Sequence, residues 1–150
     1  MAHRGRRRRL NVVLRLLALT LPAYFAWEML QAPAFTGMPK DWLEATTVCG
    51  MATLGDGVIV LGLFGLGWFV FRDFRWFAPP RAGRFTAIVT AGVGVQVIME
   101  WIMVYGLGRW GYAEGHPMLS VLGVGLLPIL QAIVLLPVIF WGLARWEGRN

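Results

Sequence analysis

Phe85-Thr-Ala-Ile-Val-Thr-Ala-Gly-Val-Gly-Val-Gln96-Val-Ile-Met-Glu100-Trp-Ile-Met-Val-Tyr105 carries no amide or charged side chain until Gln96 and Glu100. A helix of about 20 apolar residues spans the roughly 30 Å of hydrocarbon in a bilayer. This stretch has that length, so its two polar residues, four apart and on one helical face, stand in a segment otherwise fit for lipid. An ionisable group in such a place is costly, needs a partner and marks function by default. Just beyond it, Gly106 to Pro117 supplies Arg109, Tyr112, Glu114 and His116.

Working outward, three more apolar runs appear. The expected spans are 10–30, 47–71, 85–105 and 118–144, which predicts an all-α polytopic membrane protein, a four-transmembrane-helix bundle within a single domain of residues 1–150. Composition agrees: 57% of the residues are hydrophobic and 15% charged, against roughly a quarter charged in an ordinary soluble domain. The first run follows Arg6-Arg-Arg-Arg9 and resembles a signal peptide. It is long for one, and removing it would leave an odd number of spans, so a retained first helix is expected. Pro22 should bend it. The second run holds Gly55, Gly57, Gly62, Gly65 and Gly67, which suit close helix packing in lipid. Asp41, Thr46 or Thr47 is placed to cap it. In the fourth run Pro128 and Pro137 each free a carbonyl, with Gln131 near enough to satisfy part of that need.

The net charge of +6 does not indicate nucleic acid, because the arginines cluster at segment ends, where they touch membrane lipids. Arg4, Arg6, Arg7, Arg8, Arg9, Arg15, Arg72, Arg75, Arg81, Arg84, Arg145 and Arg149 fall on one side, and Lys40 and Arg109 on the other. The positive-inside rule then puts both termini in the cytoplasm. Two belts of tryptophan agree: Trp68, Trp76, Trp141 and Trp146 at the inner end, and Trp27, Trp42, Trp101 and Trp110 at the outer end.

With that topology, Glu28, Asp56, Gln96, Glu100, Arg109, Tyr112, Glu114 and His116 converge on the extracytoplasmic half. The functional reading is an outward-facing carboxylate pocket in which Glu100 and Asp56 exchange a proton with substrate and Arg109 is their electrostatic partner. Glu28, Gln31, Gln96, Tyr112, His116 and Gln131 would line the substrate site. The competing reading is an interhelical network that fixes helix register. As an enzyme or enzyme component, the protein would act on a lipid or polyprenoid-like apolar substrate. No nucleophile motif, DDxxD run or HExxH is present, and no cofactor or metal ligand set is assigned. A small transporter, channel or membrane-complex assembly subunit is the first alternative, and needs a homo-oligomer or a membrane-protein partner. Periplasmic-side copper handling is the second, since Met29, Met38, Met51, Met99, Met103 and Met118 lie in the outer half with His116. Cys49 is the single cysteine, which excludes an internal disulfide and a Cys-based zinc cluster.

Trp27-Glu28-Met-Leu-Gln31-Ala-Pro33, Leu54-Gly55-Asp56, Glu100-Trp101, Gly108-Arg109-Trp110-Gly-Tyr112 and Gly123-Val-Gly125-Leu-Leu-Pro128-Ile-Leu-Gln131 carry a resemblance. Over residues 10–145 the chain resembles small bacterial four-helix integral membrane proteins bearing a Gly-Arg-Trp-x-Tyr motif. That family has no activity to carry over. The resemblance implies a bacterial inner-membrane address and transfers no catalytic residue.

Overall fold

The computed structural model describes residues 2–149, with side chains from Gly5 onward. Met1, Asn150 and the side chain of Arg4, one of the arginines expected at the cytoplasmic end, lie outside the described residues. Four helices dominate: α1 (Ala2–Gln31), α2 (Trp42–Phe71), α3 (Ala82–Glu100) and α4 (Leu126–Gly148). All four are long and apolar enough to cross a membrane. They pack in a ring, α1 against α2 and α4, and α3 against α2 and α4. Gly57 lies beside Leu21 and Gly92 beside Leu63 and Leu136. Arg15 meets Glu147 while Gln31 meets Gln131. These pairings make successive helices antiparallel, so the termini and the α2–α3 loop share one end of the bundle.

The core runs through the middle of the ring, with Val12, Leu16, Val60, Leu63, Ile88, Leu136, Ile139 and Leu143 from all four helices. Other large apolar side chains project outward: Val58 is 69% and Phe69 82% exposed. A chain surrounded by water would not leave so much apolar surface uncovered, whereas acyl chains solvate it at no cost. The glycines of α2 divide along the same line. Gly57 and Gly67 meet neighbouring side chains, whereas a side chain at Gly55, Gly62 or Gly65 would meet nothing within 4 Å. Only part of the expected small-residue face is therefore used inside the bundle.

Helix ends follow local chemistry. Asp41 Oδ1 accepts from the backbone N–H groups of Leu43 and Glu44, both at 3.0 Å, and so starts α2 earlier than expected, at Trp42. Arg72, at φ 51°, ends it in the left-handed conformation. The following loop folds back under the bundle and buries Trp76 and Phe77 completely. Trp76 Nε1 donates to the Phe64 carbonyl at 3.1 Å. Arg84 pins the loop by donating to Asp73 Oδ2 and to the Trp76 carbonyl, both at 3.1 Å. Several arginines thus serve the fold as well as the surface. Arg15 pairs with the buried Glu147, and Arg9 lies over Trp68 and Phe74 at 5.5 Å.

The fourth span is corrected at its start. Residues 118–125 form a hairpin in which β3 (Met118–Leu119) pairs with β4 (Val124–Gly125), and α4 begins only at Leu126. Gly123, at φ +67°, supplies the left-handed turn. Pro128 therefore sits in the first helical turn, where its missing N–H would be unpaired anyway. Of the two prolines, Pro137 alone is inside the helix. A second small pairing joins β1 (Phe35–Thr36) to β2 (Gly111–Tyr112). After Glu100 the third helix continues as a wider π-helical turn, Trp101–Gly106.

Candidate functional site

Antiparallel packing of α1, α2 and α4 brings three polar positions to one level. Gln131, almost completely buried, extends Nε2 to Glu28 Oε1 at 3.1 Å and to Asp56 Oδ2 at 3.2 Å. Gln31 Nε2 donates to Glu28 Oε1 at 2.8 Å and reaches Gln131 Oε1 at 3.4 Å. Trp27 Nε1 donates to Gln31 Oε1 at 3.0 Å, which fixes the direction of that amide. The Gln131 nitrogen thereby holds the Glu28 and Asp56 carboxyls side by side. Tyr24 and Cys49, on the same helices, are buried as well. Each helix contributes residues dictated by its own spacing: Tyr24, Glu28 and Gln31 share a face of α1, as do Cys49, Thr53 and Asp56 on α2.

A second polar group lies under the loop from α3 to α4. Glu100, 4% exposed, accepts a hydrogen bond from the Tyr112 hydroxyl. The buried Trp110 indole N–H lies beside Glu100 without completing a hydrogen bond. His116 is 9% exposed and packs against Tyr112 and Phe35, with ring centroids at 4.8 and 4.9 Å. Its Nδ1 lies 2.7 Å from the Ala34 carbonyl. A carbonyl only accepts, so Nδ1 carries the proton and a neutral ring leaves Nε2 as an acceptor. Nε2 is buried and has no hydrogen-bond partner. A Cβ at Gly125 would strike this nitrogen and the Tyr112 ring, so only glycine fits there.

The two groups are neighbours with separate hydrogen bonds. Glu28 and Glu100 are within electrostatic reach, but no hydrogen bond joins them. Gln96 is buried and bridges neither group. The expected approach of Arg109 to Glu100 and Asp56 is not found. Arg109 is exposed, and the ion pairs among the described residues are Arg15–Glu147 and Arg84–Asp73. Gly108, at φ +58°, turns the chain just before it. Glu114 is exposed as well. Gln131 serves the carboxyls and not the backbone carbonyls freed by proline. The expectation did not include Trp27 and Trp110; Trp27 was legible as the residue four before Gln31, and Trp110 as the centre of the Gly-Arg-Trp-x-Tyr element.

Two surface grooves lie at the end that carries the termini, and neither is lined by a residue of these groups. Among the described residues no cluster of three or more His, Cys, Asp or Glu side chains is arranged to hold a metal ion. No protein family, curated protein or solved structure matches the chain.

The Tyr112 phenol offers a test of the loop. Burial first, and its hydrogen bond to Glu100 second, hold its ionisation above the usual value near 10. A group raised in this way stabilises the folded chain fully below its unfolded value and loses that contribution as pH climbs toward the folded one. Thermal stability in detergent should therefore decline above about pH 10, and Tyr112→Phe should flatten part of that decline. Melting curves between pH 8 and 11, if parallel for variant and wild type, would contradict the Tyr112–Glu100 bond.

Proposed function

We propose that this chain is a multi-pass protein of a bacterial inner membrane that catalyses proton transfer on an apolar, bilayer-dissolved substrate of lipid or polyprenoid type. Both termini face the cytoplasm, on the arginine asymmetry between the two ends, which puts the carboxylate groups on the extracytoplasmic side. One observation carries the reading: Glu28 and Asp56, from different helices, share the Gln131 amide nitrogen inside an apolar bundle. Two negative charges held on one amide nitrogen in an apolar surrounding repel, which favours a proton on one of the pair. One member is then an acid and the other a base, the division that general acid–base chemistry needs. Glu28 thus takes the place assigned to Glu100 as the acid–base partner of Asp56. Glu100, with Tyr112 and the free nitrogen of His116, supplies a second donor–acceptor set close by.

The saturation of these bonds favours a second reading, a polar pin that sets helix register. Lipid extracts separate the two. Cells lacking the protein should accumulate or lose a lipid species, and Glu28→Gln or Asp56→Asn chains, inserted at normal levels, should leave that defect in place. Full restoration by both variants would refute the enzyme reading and favour the pin.

A further inference from the structure

We infer that the end of the bundle carrying the termini holds a specific site for one anionic phospholipid, on the outer face of α3 and α4. Two adjoining grooves meet there and share Trp141 as a common wall. The first, about 490 Å³, is apolar and is formed by Pro80 and Phe85 on one side and Pro137, Val138 and Trp141 on the other. The second, about 410 Å³, is lined by Trp141, Gly142, Arg145, Trp146 and Arg149. Both volumes lie in the roughly 300–1,000 Å³ range of small-molecule sites.

The occupant follows from the chemistry of the walls. Positions 137, 141, 145 and 149 repeat every four residues, so they form one stripe along α4 that passes from apolar to cationic toward the chain end. The apolar groove is open to the side and has the surroundings an acyl chain requires. Arg81 stands at its edge, and Arg145 and Arg149 line the adjoining polar groove; all three are exposed. The Arg145 guanidinium is 4.8 Å from the Trp141 ring centre, held by stacking and with no carboxylate among the described residues claiming it. The nearby acid, Glu147, is buried and committed to Arg15. A guanidinium pair above an apolar slot suits a phosphodiester headgroup with its chain below, since the planar donors fit phosphate oxygens. The site lies at the opposite end from Glu28 and Asp56 and does not depend on any activity there.

Native mass spectrometry of the full chain, released from detergent in the presence of dioctanoyl phosphatidylglycerol or dioctanoyl phosphatidylcholine, tests the assignment. One phosphatidylglycerol should be retained in clear preference to phosphatidylcholine, and glycerol 3-phosphate, which lacks chains, should not displace it. Arg145→Gln with Arg149→Gln should weaken retention roughly 25-fold, at about fivefold for each arginine near a membrane surface. Val138→Trp, which fills the slot on a lipid-facing position, should reduce binding with both arginines intact. Equal retention of the two lipids, displacement by glycerol 3-phosphate, unchanged binding in the double arginine variant, or unchanged binding in Val138→Trp would each overturn the proposal.

Discussion

Gln131→Leu should lower the unfolding free energy of the bundle by about 1–3 kcal/mol, and Asp56→Leu in the same chain should restore most of that loss. The argument rests on an asymmetry. A single interhelical hydrogen bond in a bilayer averages only about 0.6 kcal/mol, because polar groups find other partners in the unfolded, still inserted chain. Gln131 is not a single bond: its amide nitrogen holds Glu28 and Asp56, and its oxygen lies 3.4 Å from Gln31 Nε2. Glu28 keeps the Gln31 amide after the substitution, whereas Asp56 loses the amide that holds it. An orphaned polar group bears its full desolvation penalty, so removing Asp56 too leaves an apolar contact of similar shape. Reversible unfolding in mixed bicelles titrated with dodecyl sulfate, followed by tryptophan fluorescence, measures both chains. A double variant no more stable than Gln131→Leu would show that the Gln131–Asp56 bond is not what holds α4 to α2. If deletion cells show the proposed lipid defect, a stable double variant that fails to correct it would locate function, not only register, in the pair.

How far the sequence foretold this arrangement differs between elements. The four helices were legible because apolar length against a bilayer is a strong constraint, but α2 starts at Trp42, ahead of the expected 47, because of the three cap candidates it is Asp41 that accepts the first backbone N–H groups. The start of α4 was not legible. Met118, Leu119, Val121, Leu122 and Val124 look continuous with the helix that follows, and only Gly123 and Gly125 hint at the hairpin, whose pairing depends on residues apart in sequence. On each helix the polar face could be read from spacing, as with Tyr24, Glu28 and Gln31. Which faces meet is a property of packing between helices, so the placing of Glu28 beside Asp56 could not be derived from either segment alone. Arg109 shows the opposite error. Its place in the loop just beyond Glu100 suggested a counter-charge for that carboxyl, but Tyr112 of that loop turns inward to Glu100 while Arg109 is exposed.

The arginine pattern also needs a second meaning. Charge near segment ends is a record of topology, and the proposed orientation rests on it. Yet Arg15, Arg84 and Arg145 each have a defined contact, with Glu147, with Asp73 and the Trp76 carbonyl, and with Trp141 respectively. Arginines at this end thus also close the bundle, Arg15 tying α1 to α4 and Arg84 tying the α2–α3 loop to α3.

That end should be the most sensitive part of the fold. Trp76→Ala is expected to destabilise the protein by about 3–5 kcal/mol, the range for removing a fully buried tryptophan. Its ring packs with Phe64, Phe71, Phe77, Phe85 and Phe140, drawn from α2, the loop, α3 and α4. The Phe64 carbonyl also loses the indole donor. Gly67 is the reason the ring fits. A Cβ there would overlap Trp76, an inflexible neighbour held by packing on several sides, so Gly67→Ala alone should cost about 1–3 kcal/mol through overpacking. The two changes act on one contact and should not add. With Trp76 shortened to alanine the methyl group at position 67 has room, so the double variant should be no less stable than Trp76→Ala itself. The same bicelle unfolding assay reads all three chains. Losses that add within about 0.5 kcal/mol would mean that Gly67 and Trp76 do not touch, and that the loop is held to α2 by something other than this ring.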